Sequence, residues 1–295
     1  MHADPVMSIA HFTDTHLLAD GALLGGLVDT HELLRSSLER LELAAAGQRW
    51  PLAAIVVSGD ITDLAQPAAY ERARELFGAT AERLGAQLVW TPGNHDEREL
   101  MCEHLLGIPA RRTPLDAVHD VHGLRIIALD STLQGFHHGG LDEGQAQWLA
   151  GVLSEPAKHG TLLAMHHPPI PYRSDVMQLL EFVDADLLAS VIEGTDVRLI
   201  VSGHLHVHGG GTLAGIPVTV GAAVSYVDDL VASPASLRAI DDGQSFTMIE
   251  VGRTLTHWAV PARTLPGHEP LPQELLERVA GMEPSDRRDF FSRKR

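Results

Sequence analysis

Ala54-Ile55-Val56-Val57-Ser58-Gly59-Asp60 is a β-branched apolar run stopped by glycine and followed by an aspartate. Short runs of this kind, closed by Gly or Pro, read as buried strands. A polar residue just past such a strand sits at the sheet edge, where distant segments can assemble a site. The same arrangement recurs in both directions along the chain. Ile9-Ala10-His11-Phe12-Thr13 leads into Asp14-Thr15-His16, and Leu88-Val89-Trp90-Thr91 into Pro92-Gly93-Asn94-His95-Asp96. Leu162-Leu163-Ala164-Met165 leads into His166-His167-Pro168, and Leu199-Ile200-Val201-Ser202 into Gly203-His204-Leu205-His206. Between the runs, apolar residues at helical spacing mark helices over 29–46, 67–84, 145–153 and 176–192. Such alternation predicts an α/β protein whose sheets are covered by helices.

The residues collected at these strand ends are Asp14, His16, Asp60, Asn94, His166, His204 and His206, a set of carboxylates, imidazoles and one amide without a thiolate. Singly, each has an ordinary explanation. Asp14 could cap the next element, His16 could be a partly buried imidazole, and Gly59-Asp60 or Gly93-Asn94-His95-Asp96 could be turns. Together, at successive strand ends, they point to a metal centre. If the chain stays extended through Asp-x-His and His-x-His, residues i and i+2 project to one side and reach one centre. Nitrogen and oxygen donors suit Fe, Mn, Zn, Co or Mg better than a closed zinc–sulfur site, and open coordination positions mean catalysis.

The order Asp14-x-His16, Gly59-Asp60, Gly93-Asn94-His95-Asp96, His166 and Gly203-His204-x-His206 resembles the signature of the calcineurin-like metallophosphoesterases. Asp14-Thr15-His16-Leu17, Met165-His166-His167-Pro168-Pro169 and the chain length are most similar to the bacterial class III 3′,5′-cyclic-nucleotide phosphodiesterases, and a glycerophosphodiesterase branch is similar in the same blocks. Covering residues 8–262, the resemblance implies a four-layer αββα sandwich of two mixed sheets flanked by helices. It also implies two metal ions per subunit. Asp14, His16, Asp60 and His206 would hold one, and Asp60, Asn94, His166 and His204 the other, with Asp60 bridging. Iron and manganese are the expected pair, with Mg, Zn or Co as alternatives.

A hydroxide held between metals about 3.5–4 Å apart would attack the phosphorus in line. The departing alkoxide needs a proton, expected from His95, with Asp63 or Asp96 orienting it. Asn94, His95 and His206 are expected at the substrate, joined by His137 and His138 from the glycine-flanked loop 135–140. The expected reaction is hydrolysis of 3′,5′-cyclic nucleotides, cAMP foremost, to 5′-nucleoside monophosphates. Glycerophosphodiesters, or aryl and 2′,3′-cyclic diesters, are the alternative substrates. A non-catalytic partner-binding module on the same fold is a remote alternative, opposed by the retention of His95 and every donor.

Composition agrees with a globular enzyme. At 295 residues and 44% hydrophobic content the chain can bury a substantial core, read as a catalytic domain over 1–263 and a C-terminal helix and tail over 264–295. A formal charge of −17 repels polyanions and argues against nucleic acid as a partner, whereas a small phosphodiester responds to local charge. Cys102 is the only cysteine, as expected for a reducing cytoplasm. No signal peptide is legible at the start, and no apolar stretch approaches the ~20 residues that span a bilayer. A homodimer is the expected assembly.

Beyond Gly203, strands are expected at 218–223, 237–240, 246–251 and 254–260, followed by a helix at 270–279. The basic, aromatic stretch 286–295 reads as a frayed end or as a segment docking on a second subunit or across the site. Among the other histidines, His11 reads as structural, His167 as pointing away from the site, and His208 as peripheral.

Overall fold

A computed structural model describes residues 6–47, 51–263 and 271–293; the expectations for residues 1–5, 264–270 and 294–295 lie outside the described residues. The chain divides into two compact units, Met1–Arg263 and Thr264–Arg295.

In the first unit, β1 (Met7–Phe12) and β2 (Leu52–Ser58) are buried along their whole length, as strands covered on both faces must be. With β3 (Gln87–Thr91) they form the parallel part of one sheet. The long hairpin β12 (Ser245–Val251) and β13 (Leu255–Pro261) completes it in the order β13-β12-β1-β2-β3. Alternate side chains face opposite ways. Ala10, Phe12, Ile55 and Val57 meet Leu34 of α1 (Thr30–Ala46) and Tyr70 and Phe77 of α2 (Pro67–Leu84). Ile9, Ala54, Val56 and Val89 meet the second sheet.

That sheet comprises β4 (Ala117–Val121), β5 (Leu124–Ala128), β6 (Thr161–Ala164), β7 (Val197–Ser202), β8 (Gly209–Leu213) and β9 (Ile216–Val220), ordered β4-β5-β6-β7-β9-β8 with antiparallel edges. Ile126, Leu162 and Val201 face the first sheet, while Ile127, Leu163 and Ile200 pack on α4 (Glu143–Val152) and α5 (Ala185–Ile192). The result is a four-layer αββα sandwich. Helix starts follow local chemistry: Asp29 accepts from Glu32 N at 2.9 Å to open α1, and Asp142 and Gln145 form a reciprocal capping box on α4. A short helical turn α3 (Arg98–Leu100) continues as a π turn over Met101–Leu106.

Three expectations change. The helix expected over 176–192 is a 3₁₀ turn, Met177–Leu180, and then α5, because the chain extends at Glu181 and inserts Phe182 into the core. The strand expected at 237–240 is only β11 (Ala239–Ile240), which pairs with β10 (Val227–Asp228) in a ribbon separate from both sheets. Strands β4 and β8 were not anticipated. His119 and Asp120 interrupt the apolar pattern of β4, and the triple glycine of β8 has little strand propensity, so both form through pairing at sheet edges.

The second unit contains α6 (Gln273–Ala280) and α7 (Pro284–Ser292), with the Arg278 guanidinium 5.5 Å from the Phe290 ring centroid. Among the described residues, no helix is long and apolar enough to cross a membrane.

Candidate metal centre

The donor-bearing segments follow β1, β2, β3, β6 and β7, which run parallel within their sheets, so each sheet delivers its donors at the strands' C-terminal edge. The chain is not extended where it does so. Asp14 (φ 53°), His16 (φ 43°), Asp60 (φ 46°), His204 (φ 69°) and His206 (φ 52°) are all left-handed. The i, i+2 convergence expected from an extended chain therefore comes instead from a kinked one. For a residue with a Cβ this conformation costs about 1 kcal/mol or more, and it persists because neighbours fix it. Asp14 N donates to Gly59 O at 3.0 Å, His16 N to Asp60 O at 2.9 Å, and His204 N to both Asp14 carboxylate oxygens at 3.1 and 3.0 Å. Gly59 is required at φ 90°: a Cβ there would lie 2.6 Å from His166 Nδ1 and 2.7 Å from Gly93 Cα.

Asp14, His16, Asp60 and His206 are buried, with one ligand atom from each lying within 4.8 Å of the others. His16 Nε2 is 3.1 Å from His206 Nε2 and 3.5 Å from Asp60 Oδ2, and His206 Nε2 is 3.4 Å from Asp14 Oδ1. The same Asp60 oxygen faces His166 Nε2 at 3.4 Å, and that nitrogen is 3.1 Å from Asn94 Oδ1. His204 stacks edge-on to His166 with ring centroids 5.1 Å apart. Asp60 Oδ2 thus stands between two groups of donors.

Each imidazole is held by its outer nitrogen. His16 Nδ1 donates to Asp63 Oδ1 at 3.0 Å, His206 Nδ1 to Tyr226 O at 3.0 Å, His166 Nδ1 to Ser58 O at 2.8 Å, and His204 Nε2 to Leu180 O at 2.9 Å. A nitrogen facing a carbonyl must be the donor, so the other nitrogen turns a lone pair inward. Asn94 is oriented likewise, its Nδ2 donating to His137 Nδ1 at 3.1 Å while its oxygen points to His166. With the imidazoles neutral, ring lone pairs, the Asp60 Oδ2 carboxylate oxygen and the Asn94 amide oxygen converge, an arrangement favourable around positive charge, whether protons on His16 and His166 or metal ions. This buried His/Asp cluster suits a dinuclear metal site.

The electrostatics agree. Burial opposes a charge on His16, yet its hydrogen bond to Asp63 and the charges of Asp60 and Asp14 raise its pKa. Burial likewise opposes His166, but Asp60 outweighs it and raises that imidazole to about 9. Burial alone would raise Asp60; His166 and His16 instead hold it well below the usual carboxylate range. Burial, then the neighbouring His166, pushes His204 down to about 3, and burial lowers His206.

His95 donates its backbone N–H to Asp60 Oδ1 at 2.9 Å and its ring Nδ1–H to the backbone oxygen of Asp63 at 2.9 Å. The nearer orienting group is the Asp63 carbonyl, while the Asp63 carboxylate, bonded to His16, lies 3.7 Å from the same His95 nitrogen, and Asp96 accepts from Gly93 N, Ile61 N and Thr62 N. With His16, Asn94 and His206, His95 lines a cavity of about 300 Å³. His137 reaches Asn94, whereas His138 packs on the Phe136 ring at 5.1 Å. His11 lies within β1, bonded to Ser58 Oγ at 2.7 Å, and burial pushes it down to about 3. His167 does not point away as expected. The chain bends at 166–167, placing its ring 4.5 Å from His204, with its nitrogens engaged by Ser131 Oγ at 2.9 Å and His137 O at 3.2 Å. His208 lies near His257, with ring centroids 6.4 Å apart.

Residues 7–208 match the family described as calcineurin-like phosphoesterase. The chain is 41% identical to the cAMP/cGMP dual specificity phosphodiesterase of Mycobacterium tuberculosis, covering 88% of this chain and 81% of that protein. It is 33% identical to the 3′,5′-cyclic adenosine monophosphate phosphodiesterase CpdA of Escherichia coli, over 67% of this chain and 69% of the relative. With the glycerophosphodiester phosphodiesterase GpdQ of Enterobacter lignolyticus the identity is 30%, over 72% and 78%.

Proposed function

This chain belongs to the calcineurin-like phosphoesterase family, and on that premise we propose that it is a metal-dependent phosphodiesterase converting 3′,5′-cyclic nucleotides, cAMP foremost, to 5′-nucleoside monophosphates. The observation that carries the reading is the single buried Asp60 oxygen faced by His16 on one side and His166 on the other, in a chain 41% identical to a cyclic-nucleotide phosphodiesterase.

Asp14, His16, Asp60 and His206 would hold one ion, and Asp60, Asn94, His166 and His204 the second. Divalent ions held by these residues would supply an acidified water as nucleophile and fixed positive charge for the non-bridging phosphate oxygens. Asn94 and His206 line the cavity beside the cluster and would contact the phosphate. His95 would protonate the leaving ester oxygen from Nε2, since its Nδ1–H is committed to the Asp63 carbonyl. The donor set, without sulfur, supports iron and manganese as the resident pair, with Mg, Zn or Co as substitutes. A single buried, unpaired Cys102 supports a reducing cytoplasm. Exposed Leu271, Leu276, Phe290 and Phe291 support association of the C-terminal unit with a second copy in a homodimer, which light scattering would test.

Similarity to a glycerophosphodiesterase favours a second reading with the same cluster. Comparing kcat/KM for 3′,5′-cAMP, 2′,3′-cAMP and a glycerophosphodiester, on protein loaded with Mn²⁺ or Fe, separates the two. A clear preference for 3′,5′-cAMP supports the first, and a preference for the glycerol ester transfers the enzyme to the second.

A further inference from the structure

The ribbon β10–β11 takes no part in either sheet, and its Val227 packs against a small cluster of Met177, Leu205, Val207 and Val220. It is tied to the metal cluster by Asp228 N, which donates to His206 O at 3.1 Å. Asp228, Leu237 and Ala239 of this segment line the same cavity of about 300 Å³ that His95, Asn94 and His206 line, and Met177, Leu180 and Leu205 supply other apolar wall. A volume of that size is at the lower end for small-molecule sites, and its plan is the usual one: apolar walls with few polar groups to fix orientation.

The polar group on the ribbon is a carboxylate held in place. Tyr172 Oη donates to Asp228 Oδ2 at 3.0 Å, and Arg238 N approaches Oδ1 at 3.3 Å. A carboxylate offers about four lone-pair positions, so acceptor capacity remains on each oxygen after those bonds are made.

We propose that this cavity is a purine-base subsite in which Asp228 reads the hydrogen-bonding edge of the base. The inference rests on the cyclic-nucleotide reading above and deepens it. Guanine presents adjacent donors, N1–H and the N2 amino group, which match both oxygens of one carboxylate. Adenine presents the N6 amino group beside N1, an acceptor that a carboxylate repels. Asp228 therefore adds a contact that favours guanine, offsets part of the cAMP preference proposed above and brings cGMP in beside cAMP as a substrate. An asparagine in its place would reverse the match, because an amide offers one acceptor and one donor, the complement of adenine.

The test compares wild type with Asp228→Asn on cGMP, cAMP and bis(p-nitrophenyl) phosphate, an aryl diester without a base. Aryl ester turnover should stay within about twofold of wild type, while the cGMP/cAMP ratio of kcat/KM should fall by about tenfold or more. An unchanged ratio, or equal losses on all three substrates, would overturn the proposal, the latter marking Asp228 as a support for Tyr172 alone. Competition by 5′-GMP and 5′-AMP against the aryl ester gives a second reading without cyclic-nucleotide turnover. Asp228→Asn should weaken GMP relative to AMP, and parallel inhibition in both proteins overturns the subsite. Wild-type protein that cleaves the aryl ester but neither cyclic nucleotide would sink the proposed function, and the competition would still decide the subsite.

Discussion

On one side of Asp60 stand Asp14, His16 and His206, a second carboxylate with two imidazoles, one of which leans on the carboxylate of Asp63. On the other side stand Asn94, His166 and His204, where an amide replaces the carboxylate and the imidazoles lean on the backbone oxygens of Ser58 and Leu180. Both sides share the same strand-end architecture, so the difference lies in charge. The first has an extra negative group among its donors, and a carboxylate-supported imidazole is the more basic ligand. It should bind its cation more tightly than the second. On the ligand assignment proposed above, one fold would hold one ion firmly and exchange the other, with the difference set by Asp14 against Asn94.

Removing the shared group should erase the difference. Asp60→Ala is expected to lower metal content on both sides and abolish turnover, read by elemental analysis and a phosphodiesterase assay; an active variant with its full metal complement would end the bridging assignment. His95→Ala should leave both sides loaded while slowing alkyl esters by about 10²–10⁴-fold, and aryl esters less. Equal losses on both ester types would take His95 out of leaving-group protonation. Asn94→Ala should release one ion per chain and retain the other, with affinity on the weaker side falling roughly 100-fold. Loss of both ions together would make the sides one cooperative site. The smallest effect is expected from Asp63→Asn, which should cost the first side about tenfold in affinity and leave the second unchanged; calorimetric titration resolves the two binding steps, and an unchanged first step would remove Asp63 from that support.

Much of this was legible in the sequence where strand and donor adjoin. The run 54–60 and its counterparts mark both the buried strands and the residues that emerge at their ends, because burial on both faces demands continuous apolar sequence. What sequence could not show is what holds the imidazoles. Three of the four outer nitrogens donate to backbone oxygens of Ser58, Leu180 and Tyr226, and a carbonyl is carried by every residue alike. Asp63 was noticed as a neighbour of Asp60, but its carboxylate bonds His16 at 3.0 Å and lies 3.7 Å from His95 Nδ1, to which its carbonyl is closer at 2.9 Å. His167 was misjudged because alternation was extended past the strand into a bend. The edge strands β4 and β8 owe their existence to neighbours distant in sequence, which no local pattern records.

The left-handed residues at Asp14, His16, Asp60, His204 and His206 carry a consequence for heat resistance. At about 1 kcal/mol each, their combined cost rivals the whole net stability of a typical domain. Bound cations, which favour only the folded arrangement, would offset that cost. On the metal loading proposed above, a chelator would act as a denaturant in a local sense: with the ions withdrawn, the catalytic edge should melt below the temperature at which the two sheets part.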